Sequence, residues 1–156
     1  MNVCIVGSTN VGTANERDVM STDTLIADRI EIADLFTRLA RLLDEKRWED
    51  AGTVYTDDVT VHSPRGGELH GIDKVIGFLR QAEVEGQHTQ HTSTDLLVDV
   101  DGDRAAASAN SFVYHYRDGQ APHFTGGLRQ YTTAVRTPAG WRFREMRITP
   151  AWTREH

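Results

Sequence analysis

The 156-residue chain has a single cysteine, Cys4, so no internal disulfide can form and a reducing cytoplasm is the expected compartment. It also lacks an excess of positive charge: 17 Lys and Arg stand against 23 Asp and Glu, a formal net charge of −6. Nucleic acid and anionic membrane surfaces are therefore not expected partners, because phosphate binding needs a concentrated basic footprint. No apolar run is long enough to span a bilayer. The "VCIV" near the start is too short, and lacks the basic flank, to be a signal sequence. Several catalytic signatures are missing too. No serine sits in a G-x-S-x-G elbow, no glycine fingerprint follows a strand, and "GSTNVGT" lacks the lysine of a phosphate loop. Covalent catalysis by such a nucleophile and a nicotinamide or flavin cofactor drop out, and no cofactor is expected.

What is present reads as one globular domain. Hydrophobic residues make up 38% and charged residues 26%, ordinary values for a chain long enough to bury a real core. Residues 1–20, "MNVCIVGSTNVGTANERDVM", show no sustained period and are expected to be a poorly ordered leader, with the domain over residues 21–156. "STDT" (Ser21–Thr24) offers N-caps for a long helix. Along it Leu25, Ile32, Leu35, Phe36, Leu39 and Leu43 form one apolar stripe. Ile26, Ile30, Ala33, Thr37 and Ala40 form a second, stepping by four and three, and its next member is Asp44. A carboxylate closing an apolar row is expected to face an interior cavity.

A shorter helical segment follows at "WEDAGTVY", then a strand at "DDVTVHSP" and a third helix within "GIDKVIGFLRQAEVEG". Four strands come next, near His91–Val100, Arg104–Arg117, Thr125–Thr137 and Trp141–Thr149, joined by the hairpin chemistry of "DGD", "DGQAP" and "TPAG". Helices first and an antiparallel meander afterwards is an α+β pattern, with helices on one face of a curved sheet.

Two of the seven histidines stand three residues apart in "GQHTQHTSTD". His88 and His91 alone make a weak metal signal, since zinc wants three or four convergent ligands. Alternation along a strand sends only one of them inward, and His88 is read as a loop histidine. Acid–base chemistry fits better. His91 and His115 fall on adjacent strands, and Asp44 closes the inner row of the first helix. If the three share one cavity, the aspartate fixes one imidazole while the other moves a proton. A histidine taken singly is more often a half-exposed or satisfied core residue. The arginines of the last strands, Arg129, Arg136, Arg142, Arg144 and Arg147, read as a solvated or interface face of the sheet.

Three stretches carry a resemblance: "LLDEKRWEDAGTVYTDDVTVH", "TQHTSTDLLVDVDGDRAAA" and "GWRFREMRITPAW". Together they resemble the SnoaL-like branch of the nuclear transport factor 2-like superfamily, most nearly its scytalone dehydratase-like members, over about Asp23 to Trp152. The resemblance implies a cone-shaped α+β barrel: a strongly curved, mostly antiparallel sheet wrapped around a long N-terminal helix, with two further helices. It implies Asp44, His91 and His115 as catalytic residues. In those enzymes the aspartate supports the second histidine, and the histidine pair removes an α-proton and expels water without a cofactor or metal. It further implies a small hydrophobic ligand and a homodimer through the open sheet face. Two tyrosines of that pattern are absent: Leu43 stands at one position and Ser63 or His62 at the other. Tyr55, Tyr114, Tyr116, Tyr131 and His62 are candidates to replace them, and Leu43, Tyr55, His62 and Phe112 are taken as the substrate-contacting set.

The expected function is a dehydratase, cyclase or isomerase for a small apolar carbonyl compound such as a polyketide or steroid-like metabolite. The alternative is a non-catalytic ligand-binding or dimerising module of the same fold. An epoxide hydrolase would need an Asp–Arg–Asp arrangement for which the spacing of Asp95, Asp99 and the arginines makes no case.

Overall fold

A computed structural model describes residues 14–156, with side chains from residue 22 onward. The leader expected over residues 1–20 lies largely outside these. Helix α1 spans Ala14–Asp44, so it starts before the caps offered at Ser21–Thr24. A 3-10 helix, Trp48–Thr53, leads into β1 (Tyr55–Ser63), β2 (Gly67–His70) and α2 (Ile72–Gln81). The long strands β3 (His88–Asp101), β4 (Arg104–Tyr116), β5 (Phe124–Thr137) and β6 (Gly140–Glu155) follow. One curved six-stranded sheet results, in the order β2-β1-β6-β5-β4-β3. Every pairing is antiparallel except β1 with β6, which is parallel. The sheet ends on β2 and β3 and does not close, so the cone expected from the resemblance is an open one.

The face of α1 that meets the sheet is Asp28, Ile32, Leu35, Phe36, Leu39 and Leu42, all buried. Across from it lie Trp141, Phe143 and Met146 of β6, Val59 of β1 and Val54 just before it. Phe36 meets Phe143 edge to face at a centroid distance of 5.0 Å. The second expected row is not buried as a row: Ile26 and Ile30 are exposed, and its last member, Asp44, bonds to Thr89 and His91 of the pocket wall.

The buried carboxylate of Asp28 ties the helix to the far end of the sheet. It accepts both guanidinium arms of Arg136 at 2.7 Å and the Trp141 indole N–H at 3.0 Å. Arg136 also lies over the Trp141 ring, 4.6 Å from its centroid, and reaches Asp103 at 2.9 Å. Beside this cluster, Glu31 accepts the backbone N–H of Trp141 at 2.9 Å. Gly140, at φ 108, makes that approach possible, because a Cβ there would collide with the Glu31 carboxylate.

At the other end α1 stops directly after Asp44. Lys46 takes the left-handed conformation (φ 54), and the Arg47 N–H returns to the Leu42 carbonyl at 3.1 Å. This is the 6→1 bond of a Schellman turn, here without its usual glycine. It leaves Asp44 as the last helical residue, beside the start of β3.

Candidate active site

Alternation along β3 puts Thr89 and His91 on the concave face, and the end of α1 brings Asp44 to them. The Asp44 carboxylate accepts three hydrogen bonds. Thr89 donates its hydroxyl to Oδ1 at 3.0 Å, His91 its backbone N–H to Oδ2 at 2.8 Å, and His91 Nδ1 its proton to Oδ1 at 2.6 Å. An ionised carboxylate only accepts, so Nδ1 of His91 carries the proton and a neutral ring keeps its lone pair on Nε2. That nitrogen has no partner among the described residues. Both side chains are mostly buried, 16% exposed for His91 and 21% for Asp44.

His115 follows on β4, again inward. Thr89, two residues before His91, is its register partner. The expected pairing is corrected here: Asp44 holds His91, the first histidine, and not His115. Asp44 ends α1 at the mouth of β3, and the backbone amide of His91 binds the same carboxylate, which fixes the choice. His115 Nδ1 instead lies 2.9 Å from the side-chain amide nitrogen of Gln87. Its ring meets Phe124 edge-on at 5.2 Å. Burial holds the His115 imidazole below its ordinary value. The positive charge of Arg65 and the neighbouring His91 and His123 push it the same way.

Both histidines line a cavity of about 360 Å³ between the concave sheet, α2 and the end of α1. Its walls are largely apolar, including Leu39, Val61, Phe78, Leu79, Leu128 and Met146. This size and lining suit a small, mostly apolar molecule. Of the expected contact residues, Leu43 and Tyr55 line it. Tyr55 is 4% exposed, burial pushes its hydroxyl up so that it stays a neutral donor, and the hydroxyl has no partner among the described residues.

His62 and Phe112 do not line the cavity, and the reason is strand parity. On β1 the inward residues are Val59, Val61 and Ser63, which sends His62 outward to Glu68 (3.2 Å) and Glu145 (3.6 Å). On β4 they are Ser111, Val113 and His115, which puts Phe112 on the outer face against Trp152, 6.1 Å between centroids. The same parity removes Tyr114, Tyr116 and Tyr131. His88 opens β3 on that outer side, where it meets Asp118 at 3.1 Å and the Tyr116 ring.

Thr89, Gln87 and Arg65 are pocket residues that the sequence reading did not single out. The alternation that selects His91 selects Thr89 too, whereas Gln87 and Arg65 sit in turns and give no periodic signal. Among the described residues no three His, Cys, Asp or Glu side chains converge as a metal-ligand group.

The SnoaL-like domain family matches residues 24–147. The chain belongs to this family. An uncharacterised protein of Mycobacterium tuberculosis is 31% identical over 120 residues, covering 75% of this chain and 81% of its own. The fold is also that of a nuclear transport factor 2-like protein from Novosphingobium aromaticivorans. That likeness has a TM-score of 0.76 and 23% identity, over 90% of this chain and 92% of the other. A scytalone dehydratase-like protein from the same organism superposes with a TM-score of 0.74 at 18% identity, over 86% and 91% of the two chains. The matched residues 24–147 take in α1 from its third turn, the first half of β6 and all of the pocket lining except Ile148, Pro150 and Thr153.

Proposed function

We propose that this SnoaL-like protein is a cofactor-independent acid–base enzyme, a dehydratase, cyclase or isomerase acting on a small apolar carbonyl compound such as a polyketide or steroid-like metabolite. The observation that carries the reading is the 2.6 Å contact between Asp44 and His91 Nδ1 beside an apolar cavity that also holds His115. The carboxylate leaves Nε2 of His91 as the basic nitrogen and stabilises the imidazolium formed when it takes a proton. The proton comes from the carbon next to the substrate carbonyl, and the C–H electrons pass to the carbonyl oxygen as an enolate. In a dehydration the enolate collapses, the C–OH bond breaks and the departing oxygen leaves as water with the proton that His91 took, while the neutral His115 ring donates a hydrogen bond to that oxygen. In an isomerisation the proton returns to another carbon. Tyr55, whose hydroxyl is unpaired, is the candidate donor to the carbonyl oxygen. The likeness to a scytalone dehydratase-like protein supports the same class of reaction.

His91→Ala and Asp44→Asn test the reading against a panel of β-hydroxy carbonyl and polyketide-type compounds. Turnover by the wild type that falls roughly 10²–10⁴-fold in both variants, with folding intact, is the expected result. Undiminished turnover in either variant contradicts it.

One observation favours the non-catalytic alternative. Leu43 lines the pocket at one position where the resemblance implies a tyrosine, and Ser63, one of the two candidates for the other, lines it too, so part of the implied polar equipment is missing. Under that reading the same variants change stability or ligand affinity, with no turnover to lose. A homodimer is also part of the proposal, through the outer sheet face where Leu97, Tyr131 and Trp152 are 71%, 50% and 47% exposed. Light scattering that gives a monomer mass would remove it. The cytoplasmic location rests on the single Cys4.

A further inference from the structure

We infer that Gln87 is a positioning residue of this site: its side-chain amide donates to Nδ1 of His115 and holds the neutral imidazole as the Nε2–H tautomer, a hydrogen-bond donor to the pocket. The inference rests on the proposed acid–base reading and gives its two histidines opposite duties.

The geometry is a 2.9 Å contact from the amide nitrogen of Gln87 to Nδ1 of His115. An amide NH₂ has donors and no acceptor, so the nitrogen it faces must offer a lone pair, and the ring proton is left to Nε2. Nε2 has no partner among the described residues and belongs to a pocket-lining side chain. His91 is the mirror case. There a carboxylate takes the Nδ1 proton and the lone pair falls on Nε2. One ring is thereby set as base and the other as donor by what each Nδ1 touches.

The charges around His115 favour the neutral ring, the only form in which a tautomer exists. Arg65 faces it from the β1–β2 turn, His91 from β3 with Asp44 behind it, and His123 from the entry to β5. Lys46 and Glu83 line the same cavity but pair with each other at 3.5 Å. Among the described residues no carboxylate is bonded to the His115 ring.

The support is itself held in place. The Gln87 backbone N–H donates to the Val84 carbonyl at 3.1 Å, closing the turn between α2 and β3. Arg117 braces that turn through the Glu85 carbonyl at 3.4 Å. On the other side the Phe124 edge limits rotation of the His115 ring.

The test is nitrogen-15 NMR of the histidine rings in the protein alone, above the His115 titration, for wild type, Gln87→Leu and Gln87→Glu. The wild type is expected to show Nε2 as the proton-bearing nitrogen of His115. Gln87→Leu is expected to populate both tautomers. Gln87→Glu, whose carboxylate can only accept, is expected to reverse the preference and raise the titration midpoint. His115 as Nδ1–H in the wild type, or an unchanged tautomer in Gln87→Glu, overturns the inference. Should Gln87→Glu not fold, an unchanged single tautomer in Gln87→Leu overturns it equally. No substrate enters this measurement. Full turnover by His91→Ala would therefore sink the acid–base reading and leave the role of Gln87 standing, and the wrong tautomer would do the reverse.

Discussion

Asp44 Oδ1 lies 2.6 Å from Nδ1 of His91, and Asp44 Oδ2 lies 2.8 Å from the backbone nitrogen of the same residue. Two bonds to one residue fix both the backbone and the ring of His91 against the end of α1. The catalytic proposal depends on that fixation, and so do the first expectations for variants.

Asp44→Asn retains the size of the side chain but puts an amide against Nδ1 and removes the negative charge. A fall in turnover of roughly 10²–10⁴-fold is expected. Stability should drop by about 2 kcal/mol, the scale of hydrogen bonds to a charged group. Urea denaturation and a turnover assay on the same preparation measure both.

His115 gives the stability a pH dependence of known sign. Its folded value lies below that of the free imidazole, about 6.5. The unfolded chain therefore binds more protons between those two values, and stability falls as the pH drops through that window. Below the folded value both states are protonated and this contribution is flat. In His115→Gln the slope at mildly acidic pH should shrink, which thermal melts from pH 5 to pH 8 would reveal.

Asp28 is the anchor at the far end of the helix. Chiefly its hydrogen bonds from Arg136 hold its carboxyl below the ordinary carboxylate range, so the stability it lends is present at neutral pH and is lost as acid protonates it. Asp28→Asn is expected to cost about 3 kcal/mol, the low end for breaking a buried pair, because Arg136 is 36% exposed. Ligand binding in the pocket should be unaffected once the protein is folded. Chemical denaturation and a binding titration with one apolar probe separate the two effects.

Parity supplies a negative control. His62→Ala and Phe112→Ala alter the outer face and the β2 edge, so neither should change affinity for a pocket ligand by more than about twofold, well under the tenfold that 1.4 kcal/mol represents. Leu43→Ala and Tyr55→Phe, both on the pocket wall, should. Equal effects from the two pairs in a binding titration would mean that the cavity is not the ligand site.

The long strands and both hairpins near "DGD" and "TPAG" were legible because alternation and turn residues coincide there. Three features escaped. β2 is only Gly67–His70, too short to show alternation, and it is recognisable only by its pairing with β1. β6 runs past Pro150 to Glu155, where a proline argues for a stop. A register shift between Gly127 and Leu128 of β5 accommodates it. Asp28 lies in the buried stripe of α1, where a carboxylate reads as surface unless its partner 108 residues away is known. In the site, alternation along β3 allowed only one of His88 and His91 to face inward, and His91 is the one that lines the cavity, with His115 beside it. Alternation had no means to say which of His91 and His115 the Asp44 carboxylate would reach, since that depends on where α1 ends relative to β3. His62 and Phe112 were misplaced by one residue of parity, the distance between one face of a sheet and the other.

The most direct test of the central claim is to follow the ring nitrogens of His91 and His115 by nitrogen-15 NMR in wild type and in Asp44→Asn. The pairing described here requires a proton-bearing Nδ1 on His91 in the wild type, loss of that preference in Asp44→Asn, and an unchanged tautomer for His115. A variant in which His115 responds and His91 does not would contradict it, and would return Asp44 to the second histidine.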